Sequence, residues 1–457
     1  MSPVSLSELP PECFEGALAA VLATSSTDGI PNAAWVSHVL RVDDRHVALW
    51  CQFLNKSRAN LEGNPIGVLL MTHPRTAQQW RLFVRFARSE THGDTFEAMV
   101  RRLGAVTSLT QQPGAVSLRS ADVFEVLEVS AVEIGPDKAA EPPAPVERGR
   151  PRTTPEVVAA LSRLSESVAG SEQLEGLVES GLSILASHFG YDSVSLYLLE
   201  PLEGVLYALA SRGFPHSGIG ARIPLGVGIV GTCALHRLPI RIANMRHEIY
   251  YDRAVQEQLA RSKGGEREIP LPALDQAASV LAVPLLLRGN LFGVLATEGC
   301  DLAAFDDCDV HLLTIAGLLL AQGVALHDDE EGKREVSAAP PLERPRGSLR
   351  LRYYEADDSV FIDDEYLIKG IPGRILWLIV TLRENERRST FQNRELRLHP
   401  ALKLPSYKDN LETRLLMLQR RLEEKGSGLR LRREERGRLR VESDRNIEIE
   451  VIPANGS

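Results

Sequence analysis

Two stretches of this chain cannot contribute to a packed core, and they set how the rest can fold. One is GPDKAAEPPAPVERGRPRTTPE, from Gly135 to Glu156; the other is HDDEEGKREVSAAPPLERPRGS, from His327 to Ser348. Both are rich in Pro and charge and nearly free of large apolar side chains. Such segments bury too little surface to offset the entropy of ordering them, so they read as linkers. Cutting there leaves pieces of domain size at residues 1–134, 154–326 and 349–452, joined by linkers at 135–153 and 327–348. At ~100–200 residues per domain, three separate cores are the expectation.

Apolar residues make up 44% of the chain and charged residues 25%, which suits packed cores and excludes disorder throughout. No stretch reaches the ~18 consecutive apolar residues that a membrane helix needs. The N-terminal run MSPVSLSELPPECFEGALAAVLATSS places acids and a Pro pair ahead of its apolar part, where a secretory signal starts basic. A cytoplasmic location without a membrane partner is therefore expected. Cys13, Cys51, Cys233, Cys300 and Cys308 are odd in number and scattered, with no CxxC. They read as reduced thiols rather than a disulfide framework or zinc ligands, although Cys300 and Cys308 flank an acidic loop where redox chemistry is conceivable. No metal site is expected. The net charge of -9 is uneven: Ile371 to Arg440 carries about 18 Lys/Arg against about 9 Asp/Glu, near +9, leaving the remainder near -18. That asymmetry points to an anionic partner at the C-terminal end, or to a solvated basic surface.

The first piece reads as mostly β. Ala19–Thr24 is a short apolar run before the turn-forming Ser25-Ser26-Thr27-Asp28-Gly29. Ala34–Val42 and Arg45–Phe53 are strand candidates around Asp43-Asp44, followed by Ile66–Thr72, Leu82–Ala87, a helical Phe96–Leu103 and a final strand Val123–Ile134. The strings Ala23–Asn32, Asn55-Lys56-Ser57-Arg58-Ala59-Asn60-Leu61 with Asn64-Pro65, His73–Thr76 leading to Trp80-Arg81-Leu82, and Ala121–Val126 resemble the pyridoxamine-phosphate-oxidase-like split barrels, many of which bind flavin mononucleotide. The resemblance implies a phosphate site at Lys56, Ser57, Arg58 and Asn60, with Arg81 as a second clamp. A helix start with cations and a hydroxyl suits a phosphate dianion, though a solvated helix start has the same composition. Trp35 stands roughly where many active members carry Arg. Flavin binding without catalysis, or its loss, therefore stays open.

The second piece reads as α/β. Thr154-Pro155-Glu156 starts a helix with apolar Val157, Val158, Leu161, Leu164 and Val168 at helical spacing, and Ser171 caps the next helix. Strands follow at Ser193–Leu199 and Tyr207–Ser211, then a hairpin of Ser279–Leu287 and Leu291–Thr297, and a closing apolar helix Val310–Leu326. Pro224–Gly231, Ile240–Asn244, Tyr250-Tyr251-Asp252, Ala282–Leu285 with Phe292–Leu295, and Phe305 resemble a GAF domain. That implies a sensor cupping a small-molecule ligand of unknown identity, with helices that pair in a homodimer. The glycine run at 226–231 lacks the context of a dinucleotide-binding loop and reads as a tight turn into a helix. The polar segment Asp252–Asp275 is long enough to serve as a lid.

The third piece is α+β. Strands at Leu349–Tyr354 and Ser359–Leu367 precede a helix Ile375–Leu382. A Ser/Thr-led short helix follows at Ser389–Arg397, then an amphipathic helix Asn410–Glu423 with Leu411, Leu415, Leu418 and Leu422 on one stripe, and a basic hairpin Leu429–Val441. This order, with Phe361-Ile362-Asp363-Asp364-Glu365 and Arg420-Arg421-Leu422, resembles the winged-helix output domain of response regulators. The resemblance implies DNA contacts from Lys408, Arg414, Gln419, Arg420 and Arg421 on the third helix and from Arg433, Arg436, Arg438 and Arg440 on the wing. Against that stand the two wing glutamates and internal pairing of the helix arginines with Glu412, Glu423 and Glu424. Together the pieces suggest a ligand- or redox-responsive regulator with a DNA-binding output. The alternatives are a flavin-dependent oxidoreductase with regulatory domains, and an interaction scaffold.

Overall fold

The computed structural model describes residues 5–14, 16, 18–36, 38–51, 55–74, 76–100, 119–132, 153–245, 269–329, 347–402, 404, 410–435 and 437–454. Its N-terminal unit is a seven-stranded antiparallel sheet. In spatial order the strands are Pro31–Val36, Ala20–Ser25, Ile66–Thr72, Gln79–Glu90, Ser120–Ala131, His46–Cys51 and Val39–Arg41. The apolar run Ala34–Val42, read above as one strand, is divided between the two edges of this sheet. Pro31–Val36 pairs with Ala20–Ser25, while Val39–Arg41 pairs with His46–Cys51. Val36 and Val39 are at most about 11 Å apart along the chain. A flat sheet of this width would hold its edges about 29 Å apart. The sheet is therefore rolled into a half-barrel, with Leu22, Leu49, Leu69, Leu82, Val84 and Phe124 inside. Helix Asn55–Gly63 packs across the first two strands of this order. The expected helix near Phe96 spans 94–100, and its continuation lies outside the described residues.

The second unit is a six-stranded antiparallel sheet ordered Arg222–Pro224, Val205–Arg212, Ser193–Glu200, Asn290–Gly299, Ser279–Leu287, Ile240–Ile242. Its strands are apolar on both faces because both are covered. Leu196, Leu198, Leu281, Val283 and Leu285 face helices Thr154–Gly170, Leu174–Ser187 and Asp307–Asp329. Their neighbours Tyr197, Val280 and Ala282 face helix Gly228–His236 through Ile229 and Cys233. Thr153, rather than Thr154, is the first helix's cap, and its backbone N–H donates to Glu156 at 3.0 Å. Ser171 does not cap the next helix; its hydroxyl donates back to the Ser167 carbonyl at 2.6 Å. Gly226 and Gly228 hold positive φ of 84° and 61°, and a Cβ on Gly231 would meet the Pro224 carbonyl oxygen at 2.3 Å. The glycine run is thus a tight turn into a helix. Helix Asp307–His327 has the length and mean hydropathy, 1.6, of a membrane span; Leu313, Ala316, Leu320 and Val324 bury it in the core.

The third unit has strands Ser348–Tyr354, Ser359–Ile362 and Glu365–Ile368, then helices Ile371–Glu386, Asn393–Leu398 and Leu411–Lys425, then a hairpin Leu429–Glu435 and Arg438–Ser443. Thr390–Gln392, read above as part of a helix start, is a strand pairing with Arg438–Arg440 of the hairpin. The last strand, Asn446–Ile452, returns to pair in parallel with Ser348–Tyr354. Its alternation of Ile447 and Ile449 with Glu448 and Glu450 is a strand pattern. The second and third units do not have the separate cores expected. Leu177, Leu285 and Leu320 belong to the same buried cluster as Leu349, Ile375 and Leu415.

Candidate functional site

Two helices carry the residues expected to bind anions. On helix Asn55–Gly63, the Lys56 side chain is exposed. Arg58, 41% exposed at its side chain, donates to the hydroxyls of Ser89 and Ser120, each at 3.2 Å. Ser57 is buried and accepts from Asn32 at 2.9 Å. Asn60 is buried and donates to Thr24 at 3.1 Å. Those two side chains hold the helix onto the barrel and do not face an open site. Arg81 is not brought to the cluster within the chain. It pairs with Leu70 and Ser130, eight positions along the strand from Ser89, a separation of about 27 Å in extended chain. Lys56 and Arg58 remain as a reachable cationic pair that can hold a phosphate, although Asp122 lies 3.8 Å from Arg58 and opposes a second negative charge. Trp35 is 76% exposed on the edge strand.

The other helix, Leu411–Lys425, is buried almost all round. Its leucine stripe packs into its own unit as the periodicity predicts, but Arg414 and Arg420, on the polar face, are buried too. Across that face lies the second unit. Arg414 donates from Nε and Nη2 to the Glu200 carboxylate at 2.8 and 2.9 Å, with both side chains about nineteen-twentieths buried. Gln419 donates to Glu175 at 3.4 Å, Arg420 donates to the Leu209 carbonyl at 3.4 Å, and Ser217 bonds Glu424. Burial pushes the Glu200 carboxyl above its usual range, against the pull of the Arg414 guanidinium. Three residues later in the turn, Glu203 accepts from the Ile371 amide at 2.8 Å. It thereby places a carboxylate at the positive end of helix Ile371–Glu386.

The residues expected to touch DNA are placed differently from one another. Arg414, Gln419 and Arg420 face the second unit: Arg414 is held at short range by Glu200, and Gln419 and Arg420 make longer contacts to Glu175 and the Leu209 carbonyl. Arg421 donates to the Leu367 carbonyl at 3.1 Å and pairs with Glu424 at 3.0 Å. Arg433 pairs with Glu412. Arg438, half-buried on the hairpin, makes no ion pair among the described residues, and Arg440 stands opposite Thr390 and Arg432. Lys408 and Arg436 lie outside the described residues, as do Tyr250-Tyr251-Asp252, most of the expected lid and nearly all of both linkers. Glu200 and Glu203, which clamp the third unit, were missed. The signal was there as an acidic pair, Glu-Pro-Leu-Glu-Gly, in the turn between two apolar strands.

Comparison with known proteins agrees with the first two units. Residues 11–134 match the pyridoxamine 5'-phosphate oxidase family and residues 173–324 match the GAF domain family. The chain therefore carries a split-barrel domain of that type followed by a GAF domain. Among solved structures, it is similar to the GAF domain of an Acinetobacter phosphoenolpyruvate-protein phosphotransferase, with 21% identity, 39% of this chain and 99% of that one covered, and a TM-score of 0.31. It is also similar to the free methionine-R-sulfoxide reductase of Neisseria meningitidis, at 19% identity, 38% and 92% coverage and a TM-score of 0.30. An FMN-binding protein of Syntrophomonas wolfei subsp. wolfei is similar at 17% identity, 28% and 88% coverage and a TM-score of 0.23. No curated protein matches the chain.

Proposed function

We propose that this protein is a cytoplasmic, homodimeric regulator in which the split barrel and the GAF domain sense small molecules and the C-terminal unit, a winged helix, delivers a DNA-binding output. The observation that carries this reading is the seating of helix Leu411–Lys425 on the GAF domain through the buried Glu200–Arg414 pair. A sensor that grips the basic helix of its neighbour is directly coupled to it. The sequence of strands, three helices and terminal hairpin supports the winged-helix reading, and the local excess of Lys/Arg supports an anionic partner. While docked, the helix cannot enter a groove. DNA binding then requires release, and a ligand shifts that balance only through its different affinity for the docked and released forms.

Fluorescence anisotropy with duplex DNA tests this. Wild type binds weakly, and Glu200→Gln, which weakens the grip, binds about tenfold more tightly with a steep loss between about 50 and 200 mM salt. Removing Arg438 and Arg440 lowers affinity on all sequences and flattens the salt slope by about 2. Absence of salt-sensitive binding by Glu200→Gln would end the DNA reading.

The second reading is a flavin-dependent oxidoreductase, favoured by the reachable Lys56–Arg58 pair. Those cations would hold the phosphate of flavin mononucleotide, and the flavin would supply a redox centre for catalysis or for redox sensing.

A further inference from the structure

A cleft of about 630 Å³ opens between helix Leu174–Ser187, strand Val205–Arg212 and the last turns of helix Leu411–Lys425. Its size is that of a small-molecule site. Arg420 lines it and is only 9% exposed. One terminal nitrogen, Nη1, reaches the Leu209 carbonyl, but Nη2 is buried with no hydrogen-bond partner. A buried guanidinium N–H without an acceptor is costly, and Arg420 borders the cleft, where its guanidinium can turn to meet one.

The same cleft is lined by carboxylates. Glu175 and Glu179 stand one turn apart on one helix face, and Glu423 follows Arg420 by three residues on the other helix. None of them comes within ion-pair distance of Arg420. Glu424 is already held by Arg421 at 3.0 Å. Glu175 and Glu423 accept only long contacts of 3.4 Å from Gln419, and Glu179 is exposed to the cleft side. A simple anion on Arg420 would meet these acids. A simple cation on the acids would leave Arg420 unpaired. Among the described residues no group of three or more His, Cys, Asp or Glu could hold a metal ion. The ligand that satisfies both halves is a zwitterion, with its carboxylate on the Arg420 guanidinium and its ammonium among the glutamates. With Glu424 held by Arg421, Glu175, Glu179 and Glu423 against Arg212 and Arg420 leave the lining with an excess of one negative charge, which a second cationic group on the ligand would balance.

We propose that this cleft binds an α-amino acid with a cationic side chain. Both domains supply the lining, so the complete site exists only while helix Leu411–Lys425 is docked. The bound amino acid holds the two domains together. Its effect on DNA, and only that effect, rests on the reading of the third unit as a DNA-binding output.

Isothermal titration of the full chain with L-arginine tests the site. Saturable one-to-one binding is expected. Agmatine, which keeps the guanidinium and lacks the carboxylate, should bind at least tenfold more weakly. Arg420→Gln should weaken L-arginine at least tenfold and leave agmatine unchanged. Glu179→Gln, an exposed change that spares the packing, should weaken both ligands and serves if the Arg420 variant does not fold. No heat of binding with millimolar L-arginine, equal affinity for agmatine, or an unaltered Glu179→Gln would overturn the proposal. L-Arginine binding without any DNA binding by Glu200→Gln would sink the DNA reading and leave the site standing; the converse would do the reverse.

Discussion

Helices Asn55–Gly63 and Leu411–Lys425 raise the same expectation and meet opposite fates. Each offers Lys/Arg residues on a helix and so promises to hold a phosphate. On the first, Lys56 stays exposed and Arg58 keeps two-fifths of its side-chain surface open. On the second, Arg414 is enclosed and paired in bidentate fashion with a carboxylate 214 residues away. Composition does not separate the two. What separates them is whether another domain brings acids to the cations, and that turns a surface feature into an interdomain lock.

The largest expected effect breaks the lock. Arg414→Ala leaves Glu200 buried and uncompensated, and should cost about 3–5 kcal/mol in urea unfolding of the coupled domains. Replacing both partners together, Glu200→Leu with Arg414→Met, should recover most of that loss, since a well-packed apolar pair needs no desolvated charge. Equal losses in the single and double variants would mean that the pair is incidental to docking.

Glu298 shows what a half-buried glutamate becomes without an ion-pair partner among the described residues. It is held by the Leu274 amide at 2.8 Å, and burial pushes its carboxyl up to about 7. Between about pH 4.5 and 7 the folded protein therefore keeps a proton that the unfolded chain has lost. The resulting stability is fully present below about pH 4.5 and disappears as pH rises through about 7, a change of about 3 kcal/mol. Glu298→Gln should flatten that part of the pH–stability curve; an unchanged slope would show that the group titrates normally.

The smallest effect on stability belongs to the barrel helix. Lys56→Ala with Arg58→Ala should shift unfolding by about 0.5 kcal/mol or less, as exposed side chains do. The sharper readout is colour. Wild type mixed with flavin mononucleotide and desalted should retain visible absorbance, and the double variant should not. Equal retention would remove the phosphate role from this pair.

Most of the element order was legible, because periodicity is local. The leucine stripe of helix Leu411–Lys425, the hairpin of Ser279–Leu287 with Asn290–Gly299, and the glycine turn at 226–231 are all visible within a few residues of sequence. The divided strand between Ala34 and Val42 was not. Both halves are apolar, and only the rolling of the sheet sends one to each edge. The barrel site was half legible: the string Asn-Lys-Ser-Arg marked the right helix, but nothing local says that Ser57 and Asn60 face inward or that Arg81 stands far along another strand.

The sequence by itself determined which segments carry too few large apolar residues to build a core, which segments alternate as strands or repeat as helices, and where its positive charge collects. Those properties depend on neighbours in the chain, within reach of one turn or one hairpin. The tertiary structure alone decided that the most basic helix is covered, that Glu200 and Glu203 clamp the C-terminal unit, and that Arg420 is left with a buried donor beside an acidic cleft. Coulombic and packing partners of that kind are chosen by proximity in space, and no sequence period records them.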